Sequence, residues 1–366
     1  MILAENEDLV ELQQVAREFL GSGELAAPLS GSVRFDRAKW SRACSEIGIA
    51  GVSEPDEFGG AGFGFAALAV VLEEAGRSLS SLPILSSVVL GQGLLALAGD
   101  ERARAELLPA LLDGSRTATV ATGAVRSDRA AWSDSVTANC SGDDWTLTGT
   151  VGAVLDGATA DWLFVRAETA MGPAILAVET DAAGVGRTVQ DSMDLTRSFA
   201  RIDLHDVPAR LIRTAAPPDT VLASLADVVA VAVACEQLGG AEEALRTAVA
   251  YVAERVQFGR KIGSFQAIKH RCADLAIAVD EARSAVAHAV WALHEGDDAL
   301  RLAAPLAAVV AGRTFLECAR ENVHLHGGIG FTWEHSAHLY FRRATSDSTL
   351  FGDAERHRER VLSGVL

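Results

Sequence analysis

The sequence predicts an α+β protein: a helical N-terminal domain, a middle antiparallel β-domain and a C-terminal four-helix bundle. Three observations predict this order. Apolar residues recur at helical spacing from Glu5 to about Leu112. From Thr117 to about Ile212 they fall instead in short β-branched runs separated by Gly, Asp and Ser. After Pro217-Pro218, long alanine-rich apolar runs resume. These changes divide the 366-residue chain into segments 1–115, 116–215 and 216–366.

In the first segment, "EDLVELQQVAREFL" places Leu9, Leu12, Val15, Phe19 and Leu20 on one helical face. A turn-rich loop, "EPDEFGGAGFG", leads to an apolar helix ending near Gly76, with Glu73 and Glu74 expected on its solvated face. "DERARAELLPALLDGS" is a short helix closed by Gly114. In the second segment, "SGDDWTLTG" is a hairpin signal between two strands. The third segment opens with Asp219 as the expected N-cap. Helices are expected from there to about Arg255, from about Ser264 to Leu293 and from about Asp297 to Leu325, with a fourth ending the chain. Glu242 and Arg246 have the spacing of a surface i,i+4 pair.

Composition excludes several classes. Apolar residues form 49% of the chain, enough for a sizeable core and too many for a disordered one. The net charge of -17 leaves no broad basic face for nucleic acid. Cys44, Cys140, Cys235, Cys272 and Cys318 are odd in number and lack CxxC spacing, which fits free thiols in a reducing cytoplasm better than zinc or disulfides. Cys235 reads as a small buried residue, and His335 and His338 as surface or interface histidines rather than metal ligands. Trp333 is expected in the core or an interface. No segment reads as a membrane span, and "MILAENEDLVELQQ" lacks the basic n-region of a signal peptide.

Against this acidic background, "ERVQFGRKIGSFQAIKH" (254–270) concentrates cations and amides around Gly259 and Gly263. Such a corner suits a small anionic ligand, held by an arginine and by backbone N–H groups at a glycine-broken helix end. The alternative is a basic corner that only satisfies helix ends. Together with "ENVHLHGGIGFTWEHSAHLYFRR", and with the domain order, the corner resembles the acyl-CoA dehydrogenase family over essentially the whole chain.

The resemblance implies FAD bound between the β-domain and the C-terminal helices, with a neighbouring subunit completing the site. It implies α,β-desaturation of an acyl-CoA, with electron-transfer flavoprotein as the acceptor. Arg255, Gln257, Phe258, Phe265 and Gln266 would lie against FAD. His324, Leu325, His326, Gly327 and Gly328 would meet the FAD of the adjacent subunit.

The chain departs from the family pattern where the chemistry is done. The family needs a carboxylate to remove the α-proton. Its usual position, counted from Gly327, is Phe351, followed by the expected Gly352. The alternative position on the preceding long helix is Val229, and the arginine usually next to it is Ala230. Ala153 and Leu155 stand where a Trp and a Thr usually meet the flavin ring, and "ATGAVRSD" replaces an acidic loop. Asp353, Asp347 and Asp227 are the nearby carboxylates, of which Asp353 is the candidate base. Asp227, two residues before Val229, is rotated by about 200° from it on a helix.

Three readings follow. The first is the subunit without the catalytic Glu in an α2β2 acyl-CoA dehydrogenase, paired with a homologous Glu-bearing chain and acting on a bulky thioester, such as one with a steroid side chain. The second is a self-sufficient homotetrameric flavoenzyme using Asp353. The third is a flavin-free structural or regulatory homologue.

Overall fold

The computed structural model describes residues 7–21, 36–121 and 136–365. Helix α1 (Glu7–Gly21) buries Leu9, Ala16 and Leu20. Val15, expected on that face, points outward, because the stripe at 100° per residue runs through Ala16 instead. A short α2 (Arg37–Arg42), capped by Asp36, precedes α3 (Gly64–Arg77). A π-helical stretch, Ile84–Gln92, then runs into α4 (Gly93–Ala98), and α5 (Glu101–Leu112) closes this part.

Among the described residues, seven strands follow: β1 (Ala118–Val120), β2 (Thr137–Ser141), β3 (Asp144–Leu155), β4 (Trp162–Thr169), β5 (Gly172–Glu179), β6 (Val185–Gln190) and β7 (Phe199–Ile212). The β2–β3 hairpin turns at the expected "SGDD". The sheet is mixed rather than purely antiparallel, since β1 and β2 both run parallel to β4. Long connections permit this; tight hairpins would not. The order β4–β2–β3–β7–β5 returns to β4, so five strands close on themselves. Leu147, Val165, Leu176 and Ile202 belong to one apolar cluster within this sheet. Closure removes most of the exposed edge.

The long helix α6 (Pro218–Glu254) starts one residue before the expected cap. Proline suits the first helical position because its missing N–H has no partner there anyway. Asp219 lies in the first turn and receives Arg166 at 2.6 Å. Every residue from Val229 to Ala241 is buried, as a helix enclosed on all sides requires. Helices α7 (Gln266–Glu295) and α8 (Leu300–His326) flank it. Helix α6 and the run 300–331 are each long and apolar enough to cross a bilayer, which the sequence reading did not anticipate. Most of the apolar stretch of α6 is instead covered by protein. The expected fourth helix is two, α9 (Ala337–Asp347) and α10 (Ala354–Val365). They are separated by a turn in which Phe351 and Gly352 both have positive φ.

The N-terminal helices join the bundle by backbone contact. A Cβ on Gly76 would strike the carbonyl oxygen of Glu236, and one on Gly239 that of Glu73. Glu73 and Glu74 are therefore buried at this crossing, not solvated as expected. Glu74 accepts a fork from Arg17 at 2.7 and 3.0 Å and a bond from Arg77 at 3.1 Å. Glu73 is pushed up to about 8, by burial first and then by Glu242 and Glu74. Glu242 pairs with Arg77 and Arg283, while Arg246 takes Glu243, so the expected Glu242–Arg246 pair does not form.

Candidate functional site

Where α6 ends, Arg255 leaves helical geometry and its N–H donates to the Tyr251 carbonyl. Two-residue strands follow, β8 (Val256–Gln257) and β9 (Arg260–Lys261). Phe258 (φ 53) and Gly259 (φ 77) form the turn between them, and two consecutive positive φ values are what a tight hairpin turn needs. Phe258 is 91% exposed and meets Phe265 edge-on at 6.2 Å. The Arg260 guanidinium lies 3.9 Å from the Phe265 ring centroid. Phe265 then caps α7, and Gln266 is its first residue. Among the described residues, Arg255 and Lys261 have no carboxylate partner. Gln257, like Arg255, is exposed. The corner therefore presents unpaired cations, an amide and an uncovered aromatic ring, which fits a diphosphate and an adjoining planar group.

The second motif lies beside the first. His326, at the end of α8, stacks on Tyr251 at 4.2 Å and meets His335 at 4.0 Å with the rings tilted by 38°. Its Nδ1 contacts the Asn322 carbonyl at 2.8 Å. Burial lowers the pKa of His326, His335 and His338. His326 is thus turned inward, whereas His324, Gly327 and Gly328 are exposed, with His324 3.0 Å from Glu321. Leu325 is half-buried. His338 is buried rather than at the surface and meets Trp333 edge-on at 4.8 Å. Trp333 is itself 57% exposed, not in the core.

Phe351 is half-buried, packs against the core and carries no proton acceptor. Val229 is wholly buried and Ala230 nearly so. Asp353 accepts the Arg356 N–H at 2.9 Å, so its carboxylate caps α10. Asp227 pairs with Arg360, and Asp347 with Arg197. On the β-domain side, Ala153 sits in a bulge of β3 with φ 51 and donates its N–H to Gln190 at 2.8 Å. A cleft of about 280 Å³ opens there between Ala153, Met193 and Phe199 on one wall and Thr349 and Leu350 on the other. Leu155 is buried. The loop beginning "ATGAVRSD" lies outside the described residues from 122 to 135.

One charged group escaped the sequence reading. Arg197, buried before β7, pairs with Glu236 of α6 and with Asp347 of α9. Beside it, Arg343 meets Asp194 at 2.7 Å and Thr196 Oγ1 at 2.5 Å. Asp156, held by Ser86 at 2.5 Å, is pushed up to about 6, mainly by burial. Asp347 is likewise pushed up to about 6 by burial. The signal was a Glu-Gln pair inside the all-apolar run "VVAVAVACEQLGG": a charge there must find a buried partner.

Helical layer, closed sheet and long-helix bundle, with a glycine-turned cationic corner at the bundle's end, match the class that the sequence motifs resemble, the acyl-CoA dehydrogenase fold. The chain belongs to the acyl-CoA dehydrogenase family. The N-terminal domain of that family matches residues 6–115 and the C-terminal domain residues 220–366. The chain is similar to "Acyl-CoA dehydrogenase IpdE2" of Mycobacterium tuberculosis, 32% identical over 345 residues, covering 94% of this chain and 92% of the other. Among solved structures it is similar to a variant of the Tcur3481-Tcur3483 steroid ACAD, with TM-score 0.86, 33% identity and 98% of each chain covered. It is also similar to a chain of the ChsE4-ChsE5 complex from Mycobacterium tuberculosis, with TM-score 0.86 and 28% identity, covering 100% of this chain and 99% of that one.

Proposed function

We propose that this chain is the subunit without the catalytic carboxylate in a two-chain, FAD-dependent acyl-CoA dehydrogenase. Phe351 at the base position carries the reading, since neither it nor Val229 is able to accept an α-proton. The neighbouring carboxylates are engaged elsewhere: Asp353 in a helix cap, Asp347 and Asp227 in ion pairs. FAD, when bound, supplies the hydride acceptor. This chain's part is to hold it, with Arg255 and Lys261 meeting the diphosphate and Gln257, Phe258, Phe265 and Gln266 lining its flank. His324, Gly327 and Gly328 would complete the same surface. Their exposure supports the reading, because a lone chain covers only one side of the corner.

The partner in this reading is a homologous Glu-bearing chain, which removes the α-proton. Electrons leave to electron-transfer flavoprotein, and the complex works in the cytoplasm. The steroid ACAD likeness favours a bulky, steroid side-chain CoA thioester as the substrate.

The visible spectrum tests this. The chain purified alone is expected to be colourless, and the chain co-expressed with a Glu-bearing homologue to carry flavin and turn over. In that complex the partner's Glu→Gln is expected to abolish turnover, and Asp353→Asn here to leave it unchanged. Stoichiometric FAD on the lone chain, with turnover lost in D353N, would establish the self-sufficient homotetramer instead.

A further inference from the structure

A cleft of about 300 Å³ opens where the N-terminal helices meet the β-domain. It shares no residue with the Arg255 corner or with the cleft at Ala153. Its walls bring together three arginines from separate segments: Arg37 of α2, Arg116 between α5 and β1, and Arg187 of β6. Like charges around one concavity repel, so their convergence in a chain of net charge -17 calls for a compensating anion.

Two of the three arginines are held in place. Arg37 forks onto Asp161, with Nη1 3.1 Å from Oδ2 and Nη2 3.4 Å from Oδ1. Asp161 also accepts the Thr117 N–H at 2.7 Å and the Thr117 hydroxyl at 3.1 Å. Its charge is therefore spent within the wall, on Arg37 and Thr117. Arg187 donates through Nη1 to the carbonyls of Ala158 and Ala160, at 3.2 and 3.5 Å, and to Thr180 Oγ1 at 3.3 Å. Neutral oxygens fix this guanidinium without discharging it. Its Nη2 and Nε have no protein acceptor among the described residues. Arg116 is half-buried, and its side chain has no hydrogen-bond or ion-pair partner among the described residues.

Arg116 and Arg187 thus bring two positive charges to one space with no carboxylate in ion-pair reach among the described residues. A dianion whose oxygens take several N–H donors at once matches them, and that is the chemistry of a phosphate group. Asp181 lines the same cleft, is exposed and makes no ion pair among the described residues. It is an acceptor suited to hydroxyl donors. The space holds roughly ten waters at about 30 Å³ each, more than a bare phosphate fills.

We propose that this cleft binds a small sugar phosphate, its phosphate at Arg116 and Arg187 and its hydroxyls donating to Asp181. The site uses no residue assigned to flavin or acyl-CoA, so it stands or falls independently of the proposed subunit role.

Isothermal titration of the full-length chain with ribose 5-phosphate tests it. Saturable binding is expected, and Arg116→Gln is expected to weaken it about tenfold, the loss of one charge-assisted contact. This substitution removes no hydrogen bond or ion pair of the side chain among the described residues, so the melting temperature should not move. Arg116→Lys, which keeps the charge, should recover part of the affinity. Inorganic phosphate is expected to bind about tenfold more weakly than the ester, because it offers no sugar hydroxyls to Asp181. No binding heat from ribose 5-phosphate at millimolar ligand would overturn the proposal, as would an R116Q protein that binds as the wild type does. Inorganic phosphate binding as tightly as the ester would overturn it too, since the cleft would then read the anion alone. The Arg255 corner is also cationic, so the titration is repeated with Arg255→Gln. Heat lost there and kept in R116Q would place the phosphate at the corner and overturn the proposal.

Discussion

Glu73 shows how one residue couples folding to pH. Its carboxyl lies where α3 meets α6, raised from the ordinary carboxylate range to about 8 by burial and by its acidic neighbours. A carboxyl raised by folding contributes stability that is fully present below its unfolded value, near 4.5, and is lost as pH rises through 8. Asp156 and Asp347 behave alike, but their window closes near 6. His357 has the opposite sign: its contribution is present above the ordinary histidine value and lost as pH falls through about 4. Between pH 6 and 8.5, Glu73 therefore dominates these terms. Glu73→Gln is expected to flatten the decline in denaturation midpoint over that range, and to raise stability at pH 8 by on the order of 2 kcal/mol. A wild-type midpoint that does not fall as pH rises from 6 to 8.5 would contradict this.

At the scale of elements, the α3–α6 crossing depends on glycine. Gly76 and Gly239 let the two backbones touch, each against the carbonyl of the other helix. Gly239→Ala places a methyl group into the Glu73 carbonyl, which is rigid backbone. It is expected to cost at least about 3 kcal/mol, or to prevent folding, despite alanine's better helix propensity. Thermal unfolding of the variant checks this; an unchanged midpoint would mean that the helices separate at little cost.

The same crossing shows what was legible beforehand. The three long helices, the hairpin at "SGDD" and a glycine-broken corner around Gly259 follow from local periodicity and turn chemistry, and they were read from the sequence. The burial of Glu73 and Glu74 was not. It depends on Arg17, 57 residues from Glu74, and on glycines in another domain. The Arg197 cluster was hidden for the same reason, with partners 39 and 150 residues away. Asp353 was visible as a candidate base and also as a helix-start acid. Only the hydrogen bond from Arg356 shows that its carboxylate serves as the cap.

For the whole molecule, the exposed corner is the feature that points beyond a single chain. Arg255 is exposed and has no carboxylate partner among the described residues, so replacing it removes no ion pair seen there. Arg255→Gln is expected to leave the melting temperature of the lone chain unchanged while weakening FAD in the two-chain complex about tenfold, the loss of one charge-assisted contact. Equal flavin content in wild-type and variant complexes after dialysis would remove Arg255 from the diphosphate role.

Phe258, Phe331 and Trp333 are 91%, 74% and 57% exposed, and such bare rings are what chaperones and proteases recognise on an orphan polypeptide. Synthesis in excess of whatever covers these rings would therefore be wasted. Under the two-chain reading proposed above, the cellular level of this chain is expected to follow the supply of its cover as much as its own folding stability.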